Sequence, residues 1–133
     1  MDPLASPEYS EDYLPDGEHL KKEYVDLWAD ELGARFGSEN LTKSQLRAFF
    51  GYAKRLQTIH RATRDFEEIK IKLIEMSDKA HLRFERRKAI PESFRNFIQI
   101  NARKATASPK AFDAFVRHFE AVVCFCEGRL RKD

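Results

Sequence analysis

Apolar residues recur at three- and four-residue steps from Leu20 to Val123, and no stretch of the chain alternates with period two. That spacing stacks side chains on one face of an α-helix, whereas a half-buried strand requires alternation. Five Gly and five Pro among 133 residues leave few breaks, so the helices should be long. The expected fold is all-α, a single-domain bundle of about five helices. A chain of this length can bury roughly 70% of its unfolded surface, and its 42% hydrophobic content supplies a core.

The periodicity delimits the helices. The first runs from about Gly17 to Phe36 through Leu20, Tyr24, Leu27, Trp28, Leu32 and Phe36, with Gly37 as a left-handed stop. The second starts at Thr42 and Gln45, which have the spacing of a capping box, flanked by Leu41 and Leu46 as a hydrophobic staple. It runs to about Arg61 and turns Leu46, Phe49, Phe50, Ala53, Leu56 and His60 inward. The third runs from about Arg64 to Arg86, with a main stripe of Phe66, Ile69, Leu73, Met76, Ala80 and Phe84. Ile71, Ile74 and Leu82 add apolar surface on another side, as expected of a central helix or one covered by a partner. The fourth begins near Pro91 and carries Phe94, Phe97 and Ile98. The fifth has Ser108 as cap and Pro109 in its first turn, then Phe112, Phe115, Val116, Phe119, Val122 and Val123, and stops near Gly128. Ahead of these, residues 1–15 hold Pro3, Pro7 and Pro15 without a helical period. They read as an acidic flexible N-terminal tail before a helical bundle domain at 16–133. Tyr9 and Tyr13 could dock that tail on a neighbour, but a tail without such a role is the preferred reading.

The net charge of +2 conceals a division. Residues 1–20 hold six acids and no Lys or Arg, which leaves 24 bases and 16 acids in the remainder. A basic body of this kind is suited to a polyanionic partner. Between Leu41 and Arg64 there is no acid, yet there are six bases: Lys43, Arg47, Lys54, Arg55, Arg61 and Arg64. On a helix, Lys43, Arg47, Lys54 and Arg61 fall within about 40° of one another, and Gly51 and Thr58 keep the surface beside them low. On the third helix Lys72, Lys79, Arg83 and Arg86 fall within about 60°. Two such rows can follow a phosphate backbone, giving affinity and salt dependence with little sequence discrimination. The plainer explanation is a solvated face. It applies best to the third helix, where Glu68–Lys72 and Glu75–Lys79 have the spacing of stabilising pairs. Arg86, Arg87 and Lys88 form a basic loop cluster that could touch phosphate or simply keep the loop soluble.

Motifs for chemistry are lacking. Cys124 and Cys126 lie about 200° apart on a helix and cannot both face one metal. His19, His60, His81 and His118 fall in four different helices without ligand spacing, and His60 on a core face is expected to be structural. No phosphate-binding Gly-rich loop or nucleophile elbow is present. No catalytic residue, metal or cofactor is therefore expected. Absence of a long apolar run and of a signal-peptide pattern leads to an expected cytoplasmic location, no membrane partner, and reduced cysteines.

Three blocks resemble one family. Leu41-Thr42-Lys43-Ser44-Gln45-Leu46-Arg47 opening a basic helix is similar to the start of the small subunit of type III-A CRISPR effector complexes, the Csm small subunit. Ile69-Lys70-Ile71-Lys72-Leu73, with Lys79 seven residues after Lys72, resembles that family's central basic helix. Phe115-Val116-Arg117-His118-Phe119-Glu120-Ala121-Val122-Val123 resembles its closing helix. The likeness spans about residues 38–127. Glu75 stands where an aromatic is expected, and Asp78 where a small residue is expected before Lys79. The resemblance implies a five-helix bundle without nuclease activity, stacked in several copies as a filament beside the backbone subunits. Together they would hold guide RNA and target RNA in antiviral defence, with cleavage assigned to the backbone subunit and signalling to the large subunit. Lys43, Arg47, Lys54, Arg55, Lys72 and Lys79 would touch RNA, and the helical rows add Arg61 and Arg83. Base pairing would read sequence while the protein holds the backbone. Two other readings fit the same residues. A helical DNA-binding protein needs base-reading Asn or Gln beside Arg on its recognition helix, and these are sparse on the second helix. A protein-only helical adaptor would use the extra apolar face of the third helix.

Overall fold

A computed structural model describes Tyr9, residues 11–86 and residues 89–131. Among the described residues lie five named α-helices: α1 (Leu27–Ser38), α2 (Lys43–Thr63), α3 (Phe66–Glu85), α4 (Glu92–Lys104) and α5 (Pro109–Cys126). Short 3-10 turns occupy Lys22–Val25 and Ala105–Ala107. No strand occurs among the described residues, only an isolated bridge between Thr42 and Arg131. The all-α bundle expected from the periodicity is what forms. Arg87 and Lys88 of the basic loop cluster lie outside the described residues, as does most of the tail.

Most boundaries follow local chemistry. The Gln45 N–H donates to Thr42 Oγ1 at 3.2 Å, and the Thr42 N–H donates to Gln45 Oε1 at 3.0 Å, closing the capping box of α2. Leu41 and Leu46 beside it are buried. Arg64, with φ of 56°, ends α2 in the left-handed region, and Asp65 caps α3 by accepting from the Glu68 N–H at 3.2 Å. Ser108 accepts from the Ala111 N–H at 3.0 Å, and Pro109 opens α5.

The first helix departs from expectation. It begins at Leu27 and not near Gly17, because Asp26 has φ of −129° and ψ of −105°. The Tyr24 carbonyl, which a continuous helix would pair with its own backbone, instead accepts from His118 Nδ1. Leu27 is consequently exposed. Gly37 is not the left-handed stop: it lies inside α1, and Asn40 with φ of 65° makes the reversal. What Gly37 provides is space. A Cβ there would lie 2.7 Å from the Arg129 carbonyl oxygen, and one at Gly33 would lie 2.9 Å from the Phe125 backbone. These two positions let the C-terminal part of the chain run directly against α1.

α1 packs along α5, α3 packs along α4, and α2 lies against α3 and α5. The centre is aromatic. Phe36, Phe94, Phe97, Phe112, Phe115 and Phe119 are fully buried. Their rings meet mainly edge to face, with Phe36 5.3 Å from Phe94 and Phe97 5.2 Å from Phe119. That arrangement sets the positive ring edge against the negative ring face. Tyr13, placed by sequence in a free tail, belongs to this core at 4% exposure. Its hydroxyl donates to Asn101 Oδ1, its carbonyl accepts from the Lys21 N–H, and its ring lies 5.0 Å from that of Tyr24. The packed body therefore begins ahead of residue 16.

His118 sits fully buried among Tyr13, Tyr24 and Phe97, and its Nε2 has no hydrogen-bond partner among the described residues. Burial lowers its pKa to about 4, opposed by the bond to the Tyr24 carbonyl and assisted by the nearby Lys104 charge. The folded state thus holds His118 neutral where the unfolded chain would protonate it. Between pH 6.5 and 4 the unfolded state binds the extra proton, so stability falls as pH falls through that window. Urea unfolding should show a loss of about 2 kcal/mol between pH 7.5 and pH 5 from this group, and His118→Gln should flatten that dependence. Independently, Thr42→Ala should cost about 1 kcal/mol at constant pH by removing the α2 cap.

Candidate nucleic-acid interface

α2 has two unlike faces. Leu46, Phe49, Ala53 and Leu56 are buried, with Phe50 packed 5.2 Å from Phe119 and Gln57 donating to Asp113 at 3.0 Å. His60 is half-buried with its ring edge-on to Phe66 at 5.6 Å, a ring contact in place of the hydrogen bond expected of a structural histidine. The outward face carries Arg47, Lys54, Arg55 and Arg61, all exposed, with Lys43 half-buried at the helix start. None of these five cations forms an ion pair among the described residues. Between them lie Ala48, Gly51, Thr58 and Ala62, also exposed. A Cβ at Gly51 would meet nothing within 4 Å, so the surface there is open. The result is a row of free cations, a helical turn or two apart, on a low floor and with no acid in the helix.

Acids three or four residues from exposed cations would add a few tenths of a kcal/mol per pair. α2 forgoes them and relies on its cap, its buried stripe and its length. Like charges spaced along one face repel weakly in water, and the repulsion is relieved when a polyanion lies across them.

The basic row of α3 is less uniform than its sequence. Lys72 pairs with Glu68 at 3.7 Å, as expected, and Lys70 pairs with Glu67 at 2.9 Å. The expected Glu75–Lys79 pair is absent from the described ion pairs. Lys79 Nζ instead lies over the Tyr52 ring of α2, 4.9 Å from its centroid. Arg83 lies over Phe49 with its guanidinium carbon 5.4 Å from the centroid. Lys79 and Arg83 therefore lean across the seam onto α2, while Lys72 is held on its own helix. A cavity of about 100 Å³ opens in that seam, lined by Ala48, Phe49, Tyr52, Met76, Lys79 and Arg83. Asp78, one of the residues that departs from the family pattern, faces the other way and pairs with Arg103 of α4 at 3.8 Å.

One cation near the row has no signal in the local sequence. The chain after α5 returns to the α1–α2 connection, where the Lys43 N–H donates to the Arg131 carbonyl at 3.2 Å and the Arg131 N–H donates to the Leu41 carbonyl at 3.3 Å. Exposed Arg131 thereby stands beside Lys43 at the start of α2. Only the basic character of the C-terminal residues hints at this; the pairing itself is long-range.

Among the described residues no group of three or more His, Cys, Asp or Glu could hold a metal ion. Cys124 is exposed and Cys126 is buried, with burial pushing the Cys126 thiol up to about 11. The two therefore face different environments, as their helical offset requires. No helix of the described residues is long and apolar enough to cross a membrane.

Comparison with curated proteins finds no match, and comparison with solved structures finds none. The family model for Csm2 Type III-A matches residues 19–127, a span that takes in all five helices. With that match spanning most of its length, the chain belongs to the Csm2 family, the small subunits of type III-A CRISPR effector complexes.

Proposed function

We propose that this chain is the non-catalytic, RNA-gripping small subunit of its effector, acting in the cytoplasm in antiviral defence. Its α2 face lies along the backbone of the guide and target RNA, with Lys43, Arg47, Lys54, Arg55 and Arg61 as the main contacts. Lys79 and Arg83 flank that path from α3, and Lys72 contributes less because Glu68 already neutralises it. The observation that carries the reading is the row of exposed, unpaired cations on a helix without an acid. Phosphate contacts of this kind give uniform affinity and leave sequence to base pairing.

Few contacts per copy make a weak grip, and stacking multiplies it, because each further copy binds at high effective concentration. Several copies in a filament, beside the backbone subunits and in contact with the large subunit, would supply that avidity. The outward stripe of α3 supports contact with other proteins: Ile71 is 53%, Leu82 47% and Ile74 40% exposed. The same stripe favours the alternative of a protein-only adaptor, in which the α2 cations meet acidic protein surfaces.

The two readings separate in the assembled complex. Arg47→Ala with Lys54→Ala should leave unfolding stability within about 0.5 kcal/mol, since neither side chain has a partner to lose. The same double variant should weaken RNA retention and make the log–log salt dependence shallower by roughly 1.4–1.8. Arg47→Glu with Lys54→Glu should weaken it further. Unchanged RNA binding by the charge-reversed complex would remove the proposed track. Partner binding that survives RNA removal, with no RNA protected in the complex, would establish the adaptor.

A further inference from the structure

The seam between α2 and α3 has a composition that the backbone track does not require. Its cavity of about 100 Å³ has apolar and aromatic walls from Ala48, Phe49, Tyr52 and Met76, with Lys79 and Arg83 at its edge and no acid in the lining. Tyr52 is half-buried, while Ala48 is exposed one turn earlier on the same side of α2. Both border the cationic face directly: Ala48 follows Arg47 in the chain, and Tyr52 precedes Arg55 by three residues.

The two cations here are held by rings and not by carboxylates, at 4.9 Å for Lys79 on Tyr52 and 5.4 Å for Arg83 on Phe49. Cation–π contacts at exposed sites are weak, about 0.5–1 kcal/mol, so either cation can move to a stronger anion. A ligand that fits must then offer a flat π-face to Tyr52 and an anionic group to Lys79 and Arg83 within one small unit. A nucleotide does both. A base inside a duplex has its faces covered by its neighbours, so the base that enters must be unpaired. The lining offers no carboxylate or amide to read a base edge, so the site should accept any base.

We infer that the Tyr52 seam is a stacking site for an unpaired nucleobase, whose phosphate is taken by Lys79 and Arg83. This rests on the proposed RNA-binding role of α2 and adds a base contact to a set of backbone contacts. Stacking on an aromatic side chain contributes about 1–3 kcal/mol per base, so its loss should be read as roughly a tenfold or greater change in affinity.

The test uses the full chain at low salt, with fluorescence anisotropy against two labelled single-stranded probes of equal length. One is an ordinary RNA oligonucleotide, and the other has the same backbone with abasic positions. The wild type should bind the base-bearing probe more tightly. Tyr52→Leu, which keeps an apolar side chain without a ring, should weaken the base-bearing probe about tenfold and leave the abasic probe unchanged. Tyr52→Phe should behave as wild type. Arg47→Ala with Lys54→Ala should weaken both probes equally. Equal wild-type affinity for the two probes would overturn the stacking site. So would a Tyr52→Leu protein, with wild-type thermal unfolding, that keeps its affinity for bases or loses affinity for both probes alike. If the Arg47 and Lys54 double variant still weakens both probes in that case, the backbone track stands without the stacking site. Failure of the wild type to bind either probe would overturn the site, whereas the track, whose grip per copy is weak, is decided by the charge-reversed variant in the assembled complex.

Discussion

Everything outward-facing in this molecule depends on one cluster of phenylalanine rings. Phe36 brings α1 to Phe94 and Phe97 of α4, Phe97 meets Phe119 of α5, and Phe49 and Phe50 attach α2 to Phe94 and Phe119. Four helices are thus locked by side chains that touch at ring edges, a geometry more selective than aliphatic packing. Because Phe49 and Phe50 are adjacent in sequence, they fix the rotation of α2 about its own axis as well as its position. That rotation puts Arg47, Lys54, Arg55 and Arg61 outside. A helix with so many cations and no acids gains little from its own surface, so its orientation must come from the core.

A second constraint closes the far side of the bundle. Tyr13 and Tyr24 cover His118, and Lys104 lies over both tyrosine rings while donating to the Glu11 carbonyl at 2.7 Å. The chain ahead of α1 is therefore part of the body from at least Tyr13 onward. Acidic residues in this region lie at the α4–α5 side, where Asp12 and Tyr13 border a cleft with Lys104 and Lys110. Asp12 is thereby placed beside Lys104 and Lys110, while the α2 cations form no ion pair among the described residues.

The sequence made the basic face of α2 legible because its determinants are local. Thr42 and Gln45 state where the helix begins, the apolar period states which side is buried, and the acid-free run states what the other side carries. The features that were missed are long-range. Nothing near Tyr24 indicates that its carbonyl will serve His118, ninety-four residues away, just ahead of the Asp26 backbone at which the expected first helix is interrupted. Gly37 resembles a helix stop, but its purpose is close approach by Arg129. The Glu75–Lys79 spacing is ideal for an ion pair, yet Lys79 goes to Tyr52, because α2 offers a ring across the seam. Arg131 reaches Lys43 only after the whole bundle has closed. For Lys79 the local preference outweighed was an i,i+4 pair worth a few tenths of a kcal/mol.

The proposed role of this chain requires α2 to face RNA. The most direct measurement is a structure of the assembled type III-A complex containing this chain, loaded with guide and target RNA. Arg47 and Lys54 are expected within hydrogen-bond distance of phosphate oxygens, with Gly51 facing the strand between them. An α2 face turned to solvent, or seated on an acidic surface of another subunit, would contradict it.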